Sequence, residues 1–297
     1  MSDLPFFSVI IPTYERPEQL ATCLQALVRL DYPRERFEVV VVDDSSAQSL
    51  EGVTERVHGQ MDVRLFAQRN TGPAGARNFG ATRARGEFLA FTDDDCTPGA
   101  GWLRAFAAYF AQTPDHLIGG RTLNALPLNP YSETSQLIID VVYAHYNLDN
   151  NGARFFASNN IALSAARFRR MQGFNKSFTT SEDREFCCRW LSRGFGMTYA
   201  PEAVIHHAHH LTLHALWRQH FGYGQGALRF HRARAASGHG SFKPDLSFYL
   251  KLLRASASHP RKPRAAFLTA LLLHAQLANL AGFFYEKYRS KSSRPNE

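Results

Sequence analysis

Along the first 110 residues, short apolar runs alternate with stretches whose apolar residues recur at helical spacing. Phe7–Ile11 reads as a buried strand that stops at Pro12. From Pro17, the residues Leu20, Leu24, Leu27 and Val28 fall on one helical face. The proline sits in the first turn, where a missing N–H costs nothing. Phe37–Val42 is a second strand, ended by Asp43-Asp44-Ser45-Ser46, and Val63–Ala67 a third. The turn Asn70-Thr71-Gly72-Pro73 leads into a helix from Ala74 to about Ala84. Phe88–Thr92 is a fourth strand, ended by Asp93-Asp94-Asp95, and Trp102–Phe110 is helical. Strands that alternate with helices and are apolar on both faces predict an α/β domain with a mostly parallel sheet between helices. Such sheets bind ligands beyond the carboxyl ends of their strands. Here those ends carry Pro12-Thr13, Asp43-Asp44 and Asp93-Asp94-Asp95.

Further along, Ser181-Glu182-Asp183 opens a helical run through Phe186, Trp190 and Leu191 that closes at Gly194. Its serine suits a cap and its acids suit the helix dipole. Thr198–Ile205 reads as a strand interrupted by Pro201 and is followed by the cluster His206–His210. Leu213–Ala236 is an amphipathic basic helix, Ser237–Ser241 a turn, His259–Arg264 a basic hinge and the residues after Arg289 a polar tail. The segments after Gly120 and around Tyr131–Phe156 carry no motif and are read as loops.

The chain has 297 residues, 44% apolar and 20% charged, which excludes a disordered protein. Its four cysteines include the neighbours Cys187 and Cys188 and no C-x-x-C pair, so neither a disulfide framework nor a cysteine zinc site is expected. A reducing cytoplasm fits that usage, and the start of the chain lacks the basic region of a signal peptide. The net charge of +8 is uneven. Residues 1–200 hold 20 Lys+Arg against 22 Asp+Glu, and residues 201–297 hold 14 against 4. A basic last third fits either an anionic partner or a solvated arginine-rich helix. No G-x-G-x-x-G run follows the first strand and no G-x-x-x-x-G-K-[ST] occurs, which argues against a nicotinamide enzyme or a P-loop ATPase.

Three successive carboxylates at a strand end repel one another unless a cation or donors offset them. Mg²⁺ or Mn²⁺ does so, taking one or two carboxylates and completing its shell with phosphates and water. A helix N-cap at Asp95 is the structural alternative.

The segments Ser8–Tyr14, Val42–Ser46, Gly75–Gly80 and Phe91–Asp95 occur in this order, followed by Asn159–Leu163, Gly173-Phe174 and Ser181–Glu185. Together they resemble the family 2 glycosyltransferases over about residues 6–210. The resemblance implies the GT-A fold, Rossmann-like with a C-terminal helical extension, and a nucleotide-diphosphate sugar donor, most simply a UDP-sugar. It implies that Pro12, Thr13 and Glu15 lie along the base, although the family often has Asn where Glu15 stands. By the same resemblance Asp43 would meet the base edge, Arg77 the base or phosphates, and Asp94 the ribose. Asp95 would hold a divalent metal with Asp93 supporting it, Asp183 would be the catalytic base, and Glu182 would orient the acceptor. A histidine after the last strand often joins the metal or diphosphate in related enzymes, and His207 fits best, with His209 in the same register. Read locally, Asp43 also suits a strand-end turn, Arg77 an exposed helix arginine and the histidines an exposed cluster.

The expected organisation is a catalytic domain over residues 1–210 and a basic helical region over 211–297. Within the latter, Ala265–Tyr285 is uncharged but interrupted by Thr269, His274, Gln276, Asn279 and Gly282. A packed helix, a homodimer contact or a contact with an anionic membrane surface fits better than a span, which would place the protein peripherally on the inner face of the membrane. The expected activity is inverting, metal-dependent transfer of a sugar to a hydroxyl acceptor. A nucleotidyltransferase is the nearest alternative. No nucleic-acid partner is expected, because the chain has no reader motif and the acidic rim repels phosphates without a metal.

Overall fold

The structure is a computed structural model that describes residues 4–147, 152–236, 238 and 245–292. The turn expected at Ser237–Ser241 lies outside these residues except for Gly238, and so does most of the polar tail. In chain order the elements are β1 (Phe7–Thr13), α1 (Pro17–Val28), β2 (Phe37–Asp43), α2 (Glu51–Glu55), β3 (Val63–Ala67), α3 (Gly72–Arg83), β4 (Phe88–Phe91) and β5 (Cys96–Pro98). Next come α4 (Trp102–Phe110), β6 (Leu117–Asn124), α5 (Pro130–Tyr146), β7 (Ile161–Ser164), α6 (Ala165–Arg170), α7 (Glu182–Ser192) and β8 (Met197–His207). The chain closes with α8 (Leu213–Ala236), α9 (Leu246–Ala257) and α10 (Lys262–Ser292).

Two compact units result. The first comprises Met1–Ala125, Asn147–Ser177 and Asp183–Ala208, and the second Leu126–Tyr146, Phe178–Glu182 and His209–Glu297. The division therefore does not fall at residue 210 alone, because α5 groups with the C-terminal helices.

The first unit is built on one eight-stranded sheet in the order β3-β2-β1-β4-β7-β6-β8-β5. β3, β2, β1 and β4 are parallel, β7 runs against both β4 and β6, and β5 runs against β8. This is the mixed, mostly parallel sheet that the alternation predicts. Every residue of β1 and β2 is buried, which is why these strands read as continuous apolar runs. Phe7 of β1 packs against Phe88 and Phe110, which stack with centroids 3.9 Å apart. The fully buried acid Glu38 of β2 accepts from Ser8 Oγ at 2.6 Å and pairs with Arg64 and Arg85.

Three expectations are corrected. Residues 130–146 are helix α5, not loop, with Asn129 Oδ1 accepting from the backbone N–H groups of Tyr131 and Ser132. Thr97-Pro98 belongs to strand β5 and not to a helix start, so Asp95 is not a cap. β8 is one continuous strand through Pro201. Its register against β6 jumps from Gly120↔Ala200 to Arg121↔Val204, so the proline lies in a bulge where no donor is needed.

The second unit packs α5 and α8 against α10 around Leu216, Leu271 and Ala275, and α9 lies against α5 and α10. Glycines let α8 and α10 approach closely. A Cβ on Gly224 would lie 1.9 Å from the Asn279 carbonyl oxygen, and one on Gly282 would lie 1.9 Å from that of Phe221.

Candidate active site

The parallel register places Thr13 beside Asp43 at the carboxyl ends of β1 and β2, and the acidic triplet follows β4. Thr13 Oγ1 donates to Asp94 Oδ2 at 2.8 Å. Arg16 Nη1 bridges Asp94 Oδ1 at 3.2 Å and Asp95 Oδ2 at 3.1 Å. Arg77, buried in α3, holds Asp93 Oδ1 at 2.5 Å, so it is not an exposed helix arginine. It reaches that position because Gly80 lets α3 lie flat on the sheet, where a Cβ would stand 2.7 Å from Ile10 Cγ2. Burial pushes the Asp94 carboxyl up to about 6, against the pull of Arg16 and with the help of Asp95.

On the next side of the rim, β5 pairs antiparallel with β8 at Cys96↔His207, and Ala208 N–H donates to the Asp95 carbonyl at 2.9 Å. This pairing brings His207 Nε2 to 3.0 Å from Asp95 Oδ1. Alternation along β8 turns His206, which is exposed, to the opposite face. Burial disfavours the His207 imidazolium, but the hydrogen bond to Asp95 and the surrounding carboxylates outweigh it and raise its pKa.

Asp95, Cys96 and His207 present ligand atoms within 4.8 Å of one another. Burial and the neighbouring carboxylates raise the Cys96 thiol well above its ordinary value, so it stays protonated and is a poor ligand. Asp95 and His207 are the effective donors, a mixed oxygen and imidazole set that suits Mn²⁺ or Mg²⁺ once phosphate oxygens complete the shell. Asn159 Nδ2 lies 3.3 Å from His207 Nδ1, while the buried Asn159 Oδ1 has no partner. With the amide turned over, that oxygen accepts from Nδ1–H and leaves Nε2 as a lone-pair donor, so the residues present fit a metal.

Asp43 is buried and its Oδ1 accepts from Ser46 N–H at 2.9 Å, which is the strand-end turn. Glu15 has φ 55° and clasps this loop. Its N–H donates to Ser46 Oγ, and its Oε1 accepts from Ala47 N–H at 2.8 Å. Pro12 is buried opposite Val42. Asp183 stands in the first turn of α7 and accepts from Arg184 N–H at 2.7 Å. One turn along, Phe186 packs on Phe174 at 4.9 Å, and Phe174 lies 5.9 Å beneath the guanidinium of Arg77. A chain of contacts therefore runs from the helix bearing Asp183 to Asp93. Glu182 is the buried first residue of the same helix.

Two site residues escape the sequence reading. Arg16 sits between an exposed turn and a proline, and only the fold aims it at Asp94 and Asp95. Asn159 lies in a motif that resembles the family, but its place beside His207 depends on how β7 and β8 enter the sheet.

The family model described as glycosyl transferase family 2 matches residues 8–194. The chain belongs to this family. Among curated relatives, the validoxylamine A glucosyltransferase of Streptomyces hygroscopicus subsp. jinggangensis is 30% identical over 243 residues, covering 72% of this chain. The chain spans only 58% of that relative's length. Among solved structures, the mannosyltransferase PcManGT of Pyrobaculum calidifontis, in complex with GDP-Man and Mn²⁺, superposes with a TM-score of 0.67 at 19% identity. That match covers 96% of this chain and 89% of the other. The TarS 1–349 fragment from S. aureus in complex with UDP-GlcNAc gives 0.55 at 17% identity over 98% and 93%. These likenesses establish the GT-A fold for this family 2 chain, with a C-terminal helical extension.

Proposed function

We propose that this chain is an inverting glycosyltransferase that moves a sugar from a nucleotide-diphosphate sugar, most simply a UDP-sugar, to an acceptor hydroxyl. The observation that carries the reading is the meeting of Asp95 and His207 beside two arginines at the carboxyl edge of the sheet. A divalent ion on Asp95 and His207 would neutralise charge on the departing diphosphate. Arg16 and Arg77 supply fixed positive charge along the same rim. Asp43, Pro12 and Thr13 form the floor for the nucleoside, Asp94 faces the ribose, and Glu15 keeps the 43–47 loop in place. Asp183 takes the proton from the acceptor hydroxyl as its oxygen attacks the anomeric carbon, and Glu182 orients that acceptor. The structural neighbours are seen with different nucleotide sugars, PcManGT with GDP-Man and TarS with UDP-GlcNAc, so the test uses both bases. UDP- and GDP-sugars are incubated with the protein, Mn²⁺ and an acceptor panel, and the nucleotide product is identified. Free nucleoside diphosphate supports the reading, whereas pyrophosphate would indicate a nucleotidyltransferase.

A further inference from the structure

The helix α10 is inside out for a helix in water. Between Ala266 and Tyr285 every exposed residue is apolar or aromatic, including Phe267, Leu273, Leu277, Leu280 and Phe284. Leu277 is 60% exposed and Leu280 54%. None of the polar residues of the same stretch is fully exposed, and two of them face inward: Thr269 Oγ1 donates to Ser256 Oγ of α9 at 3.0 Å, and His274 lies 5.0 Å from the Trp217 ring of α8. A surface helix of a soluble domain shows the opposite arrangement. The interruptions that blur the sequence pattern are thus partly or fully covered, and the exposed positions are all apolar or aromatic. At about 1.5 Å per residue that exterior is roughly 30 Å long. The neighbouring α9 also exposes Leu246, Leu250 and Leu253.

We infer that this face of α9 and α10 lies on an anionic lipid bilayer, with its apolar side chains in the acyl boundary and its basic residues at the phosphates. Charge identifies the occupant. Exposed Arg254, Arg261 and Lys262 border one end, Lys287 and Arg289 the other, and Tyr285 and Tyr288 supply the amphipathic rings that favour the headgroup level. A second copy of the chain is disfavoured, because parallel and antiparallel pairing of α10 both set basic ends against basic ends. A span is disfavoured although α10 is long and apolar enough for one. Arg218 of α8, next to the Trp217 that packs at mid-α10, would be drawn into hydrocarbon.

The full chain is floated with vesicles of equal parts phosphatidylglycerol and phosphatidylcholine, and with phosphatidylcholine alone. The inference predicts flotation with the anionic vesicles, loss at high salt, and release from them by alkaline carbonate. L277E/L280E should weaken partitioning by about tenfold or more at unchanged melting temperature, because both side chains are already solvent-facing. Hydrogen exchange of the unaltered protein should slow in α9 and α10 when vesicles are added, a readout that needs no variant. Absence of flotation would overturn the inference. So would equal flotation of the double variant, resistance to carbonate, or a dimer in sedimentation that L277E/L280E dissolves.

Discussion

Arg16 bridges Asp94 and Asp95, and it shares the Asp95 carboxylate with His207. Replacing it with an uncharged side chain of similar length removes a competitor for that carboxylate. Arg16→Met is expected to tighten Mn²⁺ binding to the nucleotide-free protein several-fold while weakening binding of the nucleoside diphosphate; titration calorimetry reads both. At Asp183 the expectation separates chemistry from binding. Asp183→Asn should lower transfer by about 10²–10⁴-fold and leave nucleoside diphosphate affinity nearly intact, and a parallel loss of both would move the base elsewhere. His220 provides a test of the second unit. It is buried, both its ring nitrogens lack partners, and burial together with His274 lowers its pKa from 6.5 to about 4. The unfolded chain therefore binds a proton that the folded chain refuses between these values, so stability is full above about pH 6.5 and falls as pH drops toward 4. At about 1.4 kcal/mol per tenfold in proton affinity, the loss is roughly 3 kcal/mol. Urea melts of the wild type and His220→Leu at pH 7 and pH 5 should show a shallower pH slope in the variant.

At the scale of elements, the contact between α8 and α10 is set by backbone approach. A side chain at Gly282 has no room against the Phe221 carbonyl. Gly282→Val should destabilise the protein by about 1–3 kcal/mol or more, whereas Gly101→Ala, in open space, should change it little. Denaturant midpoints of the two variants check this. The elements themselves were legible where burial is two-sided or periodicity is clean: β1 to β4, α1, α4 and α8 follow directly from residue pattern. β6 was not, because Gly119-Gly120 break its apolar run, one packed under the Phe156 ring and the other against the Ala203 carbonyl. β5 is three residues long and exists only through its pairing with β8. α5 carried a readable signal, an asparagine cap before Pro130. The acids at the strand ends could be read from sequence because polar residues there interrupt apolar strands. The partners Arg16 and Asn159 could not, because tertiary contacts alone bring them to the rim. The outward face of α10 was hidden for a related reason: which side of a helix is packed depends on its neighbours.

For the molecule as a whole, charge and chemistry are separated along the chain. The unit that carries the strand-end carboxylates draws on a nearly balanced sequence, whereas the C-terminal helices hold most of the positive excess and, among the described residues, most of the large exposed apolar side chains. Under the two proposals the first unit is catalytic and the second docks on lipid, which lets the two be tested apart: vesicle binding needs no nucleotide, and nucleotide binding needs no lipid. The most direct test of the catalytic account is Mn²⁺ titration followed by electron paramagnetic resonance, with and without UDP or GDP, for the wild type, Asp95→Asn and His207→Ala. The account predicts that nucleoside diphosphate tightens Mn²⁺ binding in the wild type and that either substitution abolishes this gain. Unchanged, nucleotide-linked Mn²⁺ binding in both variants would contradict it.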